Sequence, residues 1–329
     1  MRTGPEGGVS ALALIGYHAS HEQFAPGELL DLVRRAEAAG FAAAKSSDHF
    51  HPWSERQGQS GHAWAWIGAA MQATALPFGL ITAPGYRHHP ANVAQAAATV
   101  GAMFPGRFWL ALGSGEAINE AILGAYWPDK AERNARLAEC VQVIRALLAG
   151  EEVTHRGRVT LVEARLYSLP EVPVPLFGAA VGTETAARAG AWADGLLTVG
   201  GAPQDVARVV AAFRDGGGAG KPVHIQHALS WAPDEAAALA EAMHQWAPVV
   251  AGGEVNWDLR RPADFDRIAR LVGEAAMRAC VAVSADPGWH AARIAALAEL
   301  GDCVHLHCVG RNQRAFIDTF GRDVLPRLR

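Results

Sequence analysis

Eight times along this chain a short apolar run is followed by a longer stretch, and five of those stretches carry a clear helical pattern. "ALALIGY" (11–17), "FAAAKSS" (41–47), "FGLITAP" (78–84), "RFWLALGSGE" (107–116), "VPLFGAAVG" (174–182), "DGLLTVGG" (194–201), "KPVHIQHALSWA" (221–232) and "DCVHLHCVG" (302–310) read as strands. "APGELLDLVRRAEAAG" (25–40) has apolar residues at helical spacing, acids early, arginines later and a closing glycine, the pattern of a capped amphipathic helix. Segments 90–104, 131–150, 183–193 and 203–217 read as further helices. Repeated strand–helix units imply parallel strands joined by helical crossovers. Eight of them predict a closed (β/α)8 TIM barrel, with an open doubly wound sheet as the alternative. The stretches 117–173 and 233–300 exceed one crossover, so each carries an insertion, the first with a possible hairpin in "EEVTHRGRVTLVEA" (151–164). The expectation is one domain over 1–329.

Composition narrows the function classes. Net charge is −4, which argues against a nucleic-acid or anionic-membrane surface. The apolar segment "GVSALALIGY" (8–17) lacks a cleavage pattern, and no run is long enough to span a bilayer. Cys140, Cys280, Cys303 and Cys308 lack zinc or disulfide-scaffold spacing, so they read as thiols of a cytoplasmic protein.

In such a barrel the chemistry lies at the C-terminal strand ends. This places His18, Ser20, His21 and Glu22 after strand one, and Asp48, His49 and Trp53 after strand two. Thr82, Tyr86 and Arg87 follow strand three; Ser114, Glu116 and Asn119 follow strand four. Fourteen histidines raise the question of a metal, but the H-x-H motif (His305, His307) lies on the last strand. A metal-hydrolase barrel needs one on the first. No G-x-S-x-G motif supports a nucleophilic serine. "GAAVGTET" (178–185) sets small residues before a helix start, a place for an anion or simply an ordinary strand-to-helix turn. The densest signal is "SSDHFHPWSERQGQSGHAW" (46–64). There His49 suits acid–base work near neutral pH, with Glu116 as a second proton carrier if burial raises its pKa. Trp53 and Trp64 could line an apolar slot, and a capped loop with packed indoles explains the same residues equally well.

The stretches "GYHASHEQFAP" (16–26), "SDHFHPW" (47–53), "SGHAWAW" (60–66), "PGYRHHPANVAQAAATVGAMFPGRFWLALGSGEAINE" (84–120), "WPDKAERNARL" (127–137) and "WADGLLTV" (192–199) resemble the luciferase-like flavin and deazaflavin oxidoreductases. They are most similar to the branch of F420-dependent glucose-6-phosphate dehydrogenases and to a side group that uses FMN. The resemblance runs through nearly the whole chain. It implies a dimeric TIM-barrel enzyme that holds F420 or FMN at the barrel mouth and exchanges a hydride with a small alcohol or carbonyl. An FMN-dependent monooxygenase and a non-catalytic flavin-binding barrel are the alternatives. By the resemblance, Asp48, His49, Trp53 and Glu116 form the reacting shell. Leu80, Ile81, Thr82, Gly113, Ser114, Gly115 and Asn119 line the cofactor ring, with a cis peptide at Leu80–Ile81. Ala179, Ala180, Val181 and Gly182 hold the phosphate tail. Arg267 and Arg278 match cations that bind a substrate phosphate, while the third such position, a lysine in that branch, falls near Ala202. Val181 stands where the branch has glycine.

Overall fold

The computed structural model describes residues 13–251 and 253–329, with a short backbone pairing of Arg2–Thr3 and Val9–Ser10. Ala11 and Leu12, expected to open the first strand, lie outside the described residues. Eight parallel strands alternate with helices: β1 (Leu14–Ala19), β2 (Ala43–Ser47), β3 (Phe78–Thr82), β4 (Phe108–Leu112), β5 (Leu176–Ala179), β6 (Gly195–Val199), β7 (Val223–Ser230) and β8 (Cys303–Cys308). Each pairs with the next, β8 pairs with β1, and the ring is closed. The open-sheet alternative is excluded by that closure. Strand four stops at Leu112 and strand five at Ala179, so Gly113–Glu116 and Ala180–Gly182 are loop.

The surrounding helices are α1 (Pro26–Ala38), α2 (Ala63–Ala73), α3 (Pro90–Met103), α4 (Lys130–Leu148), α5 (Thr183–Gly190), α6 (Pro203–Phe213), α7 (Glu235–Ala251), α8 (Pro262–Ile268), α9 (Glu274–Cys280), α10 (Pro287–Ala298) and α11 (Gln313–Asp323). Proline opens α1, α3, α6, α8 and α10, where its missing N–H costs nothing. The expected hairpin is present as Val153–Arg156 paired with Thr160–Ala164. Between β7 and β8, helices α7 to α9 form the second insertion. Helix α2 has no sequence stripe to announce it, because "AWAWIGAAMQA" is apolar on nearly every face.

Strand registers sort the side chains into two layers. The outward residues, such as Ile15, Tyr17, Phe78, Leu80, Leu110, Leu176, Ile225 and Leu306, are buried under the helices. Leu80 therefore belongs to the outer core. The inward layer is more polar than branched aliphatics would make it. It includes His18, Lys45, Trp109, Phe177, His224, Gln226, His305 and His307. Glycines make room for these bulky groups: a Cβ at Gly79 would collide with the Trp109 indole, one at Gly195 with the Phe177 ring, and one at Gly16 with the His305 imidazole.

Candidate active site

Asp48 and His49 follow directly on β2. The Asp48 N–H donates to Ile81 O at 2.9 Å, which carries the β2–β3 ladder one step beyond the strand and fixes the acid at the barrel mouth. Its Oδ2 accepts from the Thr82 hydroxyl at 2.8 Å, and lies 2.8 Å from His88 Nε2 and 3.2 Å from Arg87 Nη2. Burial alone would raise the Asp48 pKa, but His88, the Arg87 guanidinium and the Thr82 hydroxyl hold it far below the usual carboxylate range. Asp48 is thus a fixed negative charge, not a proton carrier. Its Oδ1 is buried without a partner.

His49 sits between two carboxylates. Its Nε2 is 3.4 Å from Glu22 Oε1 and 4.0 Å from Glu116 Oε2. Asn119 fixes the ring from the other side. Its Oδ1 accepts the Phe50 N–H at 2.9 Å, which turns Nδ2 toward His49 Nδ1 and Glu116 Oε2, each at 3.3 Å. With the amide donating to Nδ1, the ring N–H on Nε2 faces the two glutamates. The His49 carbonyl accepts from Ser60 Oγ, and Trp53 packs 5.0 Å from the imidazole, itself braced by the edge of Phe265.

The two glutamates differ. Burial would raise the Glu22 pKa, but His49, its own backbone N–H and the Ser20 hydroxyl (2.8 Å) lower it, so Glu22 stays ionised. At Glu116 burial wins over His49, and the pKa is raised.

Around this group the loops offer backbone. Gly115 has φ +82°, a left-handed value that a side chain would strain, and Trp127 and Glu120 close on it. Ser114 Oγ accepts from Lys130 Nζ at 2.8 Å. Gly182, the residue before helix α5, offers no side-chain cap, which leaves the first N–H groups of the helix to an anion; Val181 beside it is half exposed. Ala180 points the other way, into the core under the helices, and its N–H is taken by Leu197 O.

Several expectations change. Among the described residues no peptide bond is cis, so Leu80–Ile81 is trans. Trp64 packs on Phe108 outside the barrel and is no part of a slot, and His62 caps α2 by accepting the Ala65 N–H. The guanidinium of Arg278 is held by Glu274 and Glu235, each at 2.8 Å. Arg267, on α8, is largely exposed and 3.4 Å from Asp264. Four residues of the site carried no assigned role in the sequence reading: Glu22, Arg87, His88 and Glu120, whose Oε2 accepts the Arg87 N–H at 2.9 Å. Their signal was position alone, as charged or imidazole groups after strands one, three and four.

An imidazole between carboxylates, an indole wall and donor-rich glycine loops at one barrel mouth suit a planar anionic cofactor and an oxygen-bearing substrate. Comparison with known proteins agrees. The chain is 38% identical to the F420-dependent glucose-6-phosphate dehydrogenase of Beutenbergia cavernae, over 96% of this chain and 97% of that protein. It is 36% identical to the enzyme of the same name from Microbacterium testaceum, over 95% and 97%. Its fold superposes on an F420-dependent secondary alcohol dehydrogenase, solved with an F420–acetone adduct, with a TM-score of 0.91 and 33% identity, covering 97% of this chain and all of that one. The Methanopyrus kandleri F420-dependent tetrahydromethanopterin reductase shares the fold at 22% identity and a TM-score of 0.77. Residues 6–302 match the luciferase-like monooxygenase family profile, and the chain belongs to that family.

Proposed function

We propose that this protein is an F420-dependent oxidoreductase that interconverts a small, unphosphorylated secondary alcohol and its ketone. The observation that carries the reading is the His49–Glu22–Glu116–Asn119 group beside the locked Asp48, on a barrel that matches an F420-dependent alcohol dehydrogenase. The residues present fit a deazaflavin. Asp48 Oδ1 is an orphaned buried acceptor, Gly113–Gly115 allow close backbone approach, and the uncapped start of α5 suits a phosphate. Ile81, Thr82, Gly113, Ser114, Gly115 and Asn119 would hold the ring, and Ala179, Val181 and Gly182 the tail. When bound, the cofactor supplies the carbon that gives or takes the hydride.

The chain supplies orientation and the proton. His49 Nε2–H holds the substrate oxygen and stabilises negative charge developing there. Glu116, whose pKa burial raises, delivers the proton in ketone reduction and takes it in alcohol oxidation. Ionised Glu22 fixes the Nε2 tautomer, and Trp53 closes one wall against water.

The unphosphorylated substrate is favoured by the cations. Arg278 is already bracketed by two carboxylates, Arg267 is beside Asp264, and the loop after β6 reads Gly200–Gly201–Ala202 without a basic residue. By its family resemblance the enzyme works as a cytoplasmic homodimer, which light scattering of the purified chain tests. The functional test is reduction of F420 by a panel that includes isopropanol and glucose 6-phosphate. The expected result is turnover with the alcohol and not with the sugar phosphate. The reverse preference overturns the substrate class. Tight FMN binding with oxygen uptake and no F420 reduction replaces the proposal with the monooxygenase reading.

A further inference from the structure

The floor of the barrel holds a second set of donor groups that the mouth does not use. His224 on β7 pairs in register with Cys303 on β8, and His305 follows two residues on, so all three side chains point inward. One ligand-capable atom from each lies within 4.8 Å of the others. His305 Nε2 is 3.4 Å from His224 Nδ1. Two imidazole nitrogens sharing one tetrahedral ion at about 2.0–2.1 Å stand roughly that far apart.

The surroundings suit an ion. Cys303 is a buried free thiol. The other His305 nitrogen, Nδ1, is buried without a partner. Rings of Trp109 and Phe177 pack 4.6 and 4.8 Å from His224 and wall the group on one side. A barrel floor is ordinarily filled by branched aliphatic side chains. Two imidazoles and a thiol there make a donor set for a borderline-soft divalent metal. We propose that His224, Cys303 and His305 form a structural site for one zinc-class ion that ties β7 to β8, with water completing the coordination.

The test uses the full chain, stripped with a chelator, kept reduced and titrated with Co(II). The expected result is one equivalent bound per chain, with a near-ultraviolet thiolate-to-cobalt charge-transfer band and visible bands of tetrahedral strength, all displaced by Zn(II). Cys303→Ser loses the charge-transfer band, and His305→Ala weakens binding at least tenfold. Zn(II) raises the melting temperature of the wild type and leaves that of Cys303→Ser unchanged. His224→Gln, at a partly exposed position, covers the case in which a core variant fails to fold, and it too weakens Co(II) at least tenfold. No Co(II) uptake by the wild type, a charge-transfer band that survives Cys303→Ser, or unchanged affinity in His224→Gln overturns the proposal.

Discussion

The two ends of the barrel use the same side chain in opposite ways. At the mouth, His49 and His88 stand beside carboxylates, and the nearby glutamates divide into one kept ionised and one with a raised pKa. Inside and toward the floor, His18, His224, His305 and His307 form no ion pair with a carboxylate among the described residues, and burial drives each toward the neutral form, at His307 against the pull of Glu22. Rings and glycines hold them in place there. A histidine's role in this fold is therefore set by its company and its depth.

The largest expected break of that contrast is at the mouth. His49→Ala should lower kcat/KM for alcohol oxidation by about 10²–10⁴-fold with F420 affinity nearly unchanged, since the loss is of oxygen stabilisation in the transition state. Steady-state kinetics and a cofactor titration read both. At depth, Lys45→Met should leave chemistry in place and stabilise the fold by about 1–4 kcal/mol near neutral pH, because a costly buried amine is removed. The sign follows from linkage. The Lys45 pKa is about 7 when folded and about 10.4 when unfolded. Between these values the unfolded chain binds the extra proton, so wild-type stability rises with pH across that window. Urea midpoints should show that slope in the wild type and a flatter one in the variant.

Gly79→Ala, which drives a methyl into the Trp109 indole, should cost about 1–3 kcal/mol. Partial rescue by Trp109→Leu would tie the cost to that contact. A subtler effect concerns Glu116. Alcohol oxidation needs its carboxylate, so the rate should climb with pH through a limb lying above the ordinary range near about 4.3, and Glu116→Gln should lose that limb. Smallest of all, Arg278→Ala should change KM for an alcohol by about twofold or less, as expected for a guanidinium engaged in exposed ion pairs.

Much of this was legible in the chain. All eight strands follow from short apolar runs bounded by glycine and helix starts, and the placement of Asp48, His49 and Glu116 at strand ends follows from the barrel rule. The hidden parts have physical reasons. Helix α2 lacks a polar face, so periodicity is silent there. Trp64 lies on α2 and packs on Phe108 outside the barrel, and sequence adjacency to His62 gives no direction. The partners of Asp48 come from Thr82, Arg87 and His88, nearly forty residues on, and only the β2–β3 register brings them together. The occupied state of Arg278 depends on Glu235, in another helix of the insertion, and is likewise a tertiary fact.

The most direct test is to mix the purified protein anaerobically with oxidised F420 and a secondary alcohol and follow the deazaflavin absorbance, with His49→Ala alongside. Loss of the oxidised absorbance in the wild type, with binding kept but turnover lost in His49→Ala, is the predicted result. Absence of F420 binding, or full turnover in His49→Ala, would contradict the assigned cofactor or the assigned role of the imidazole.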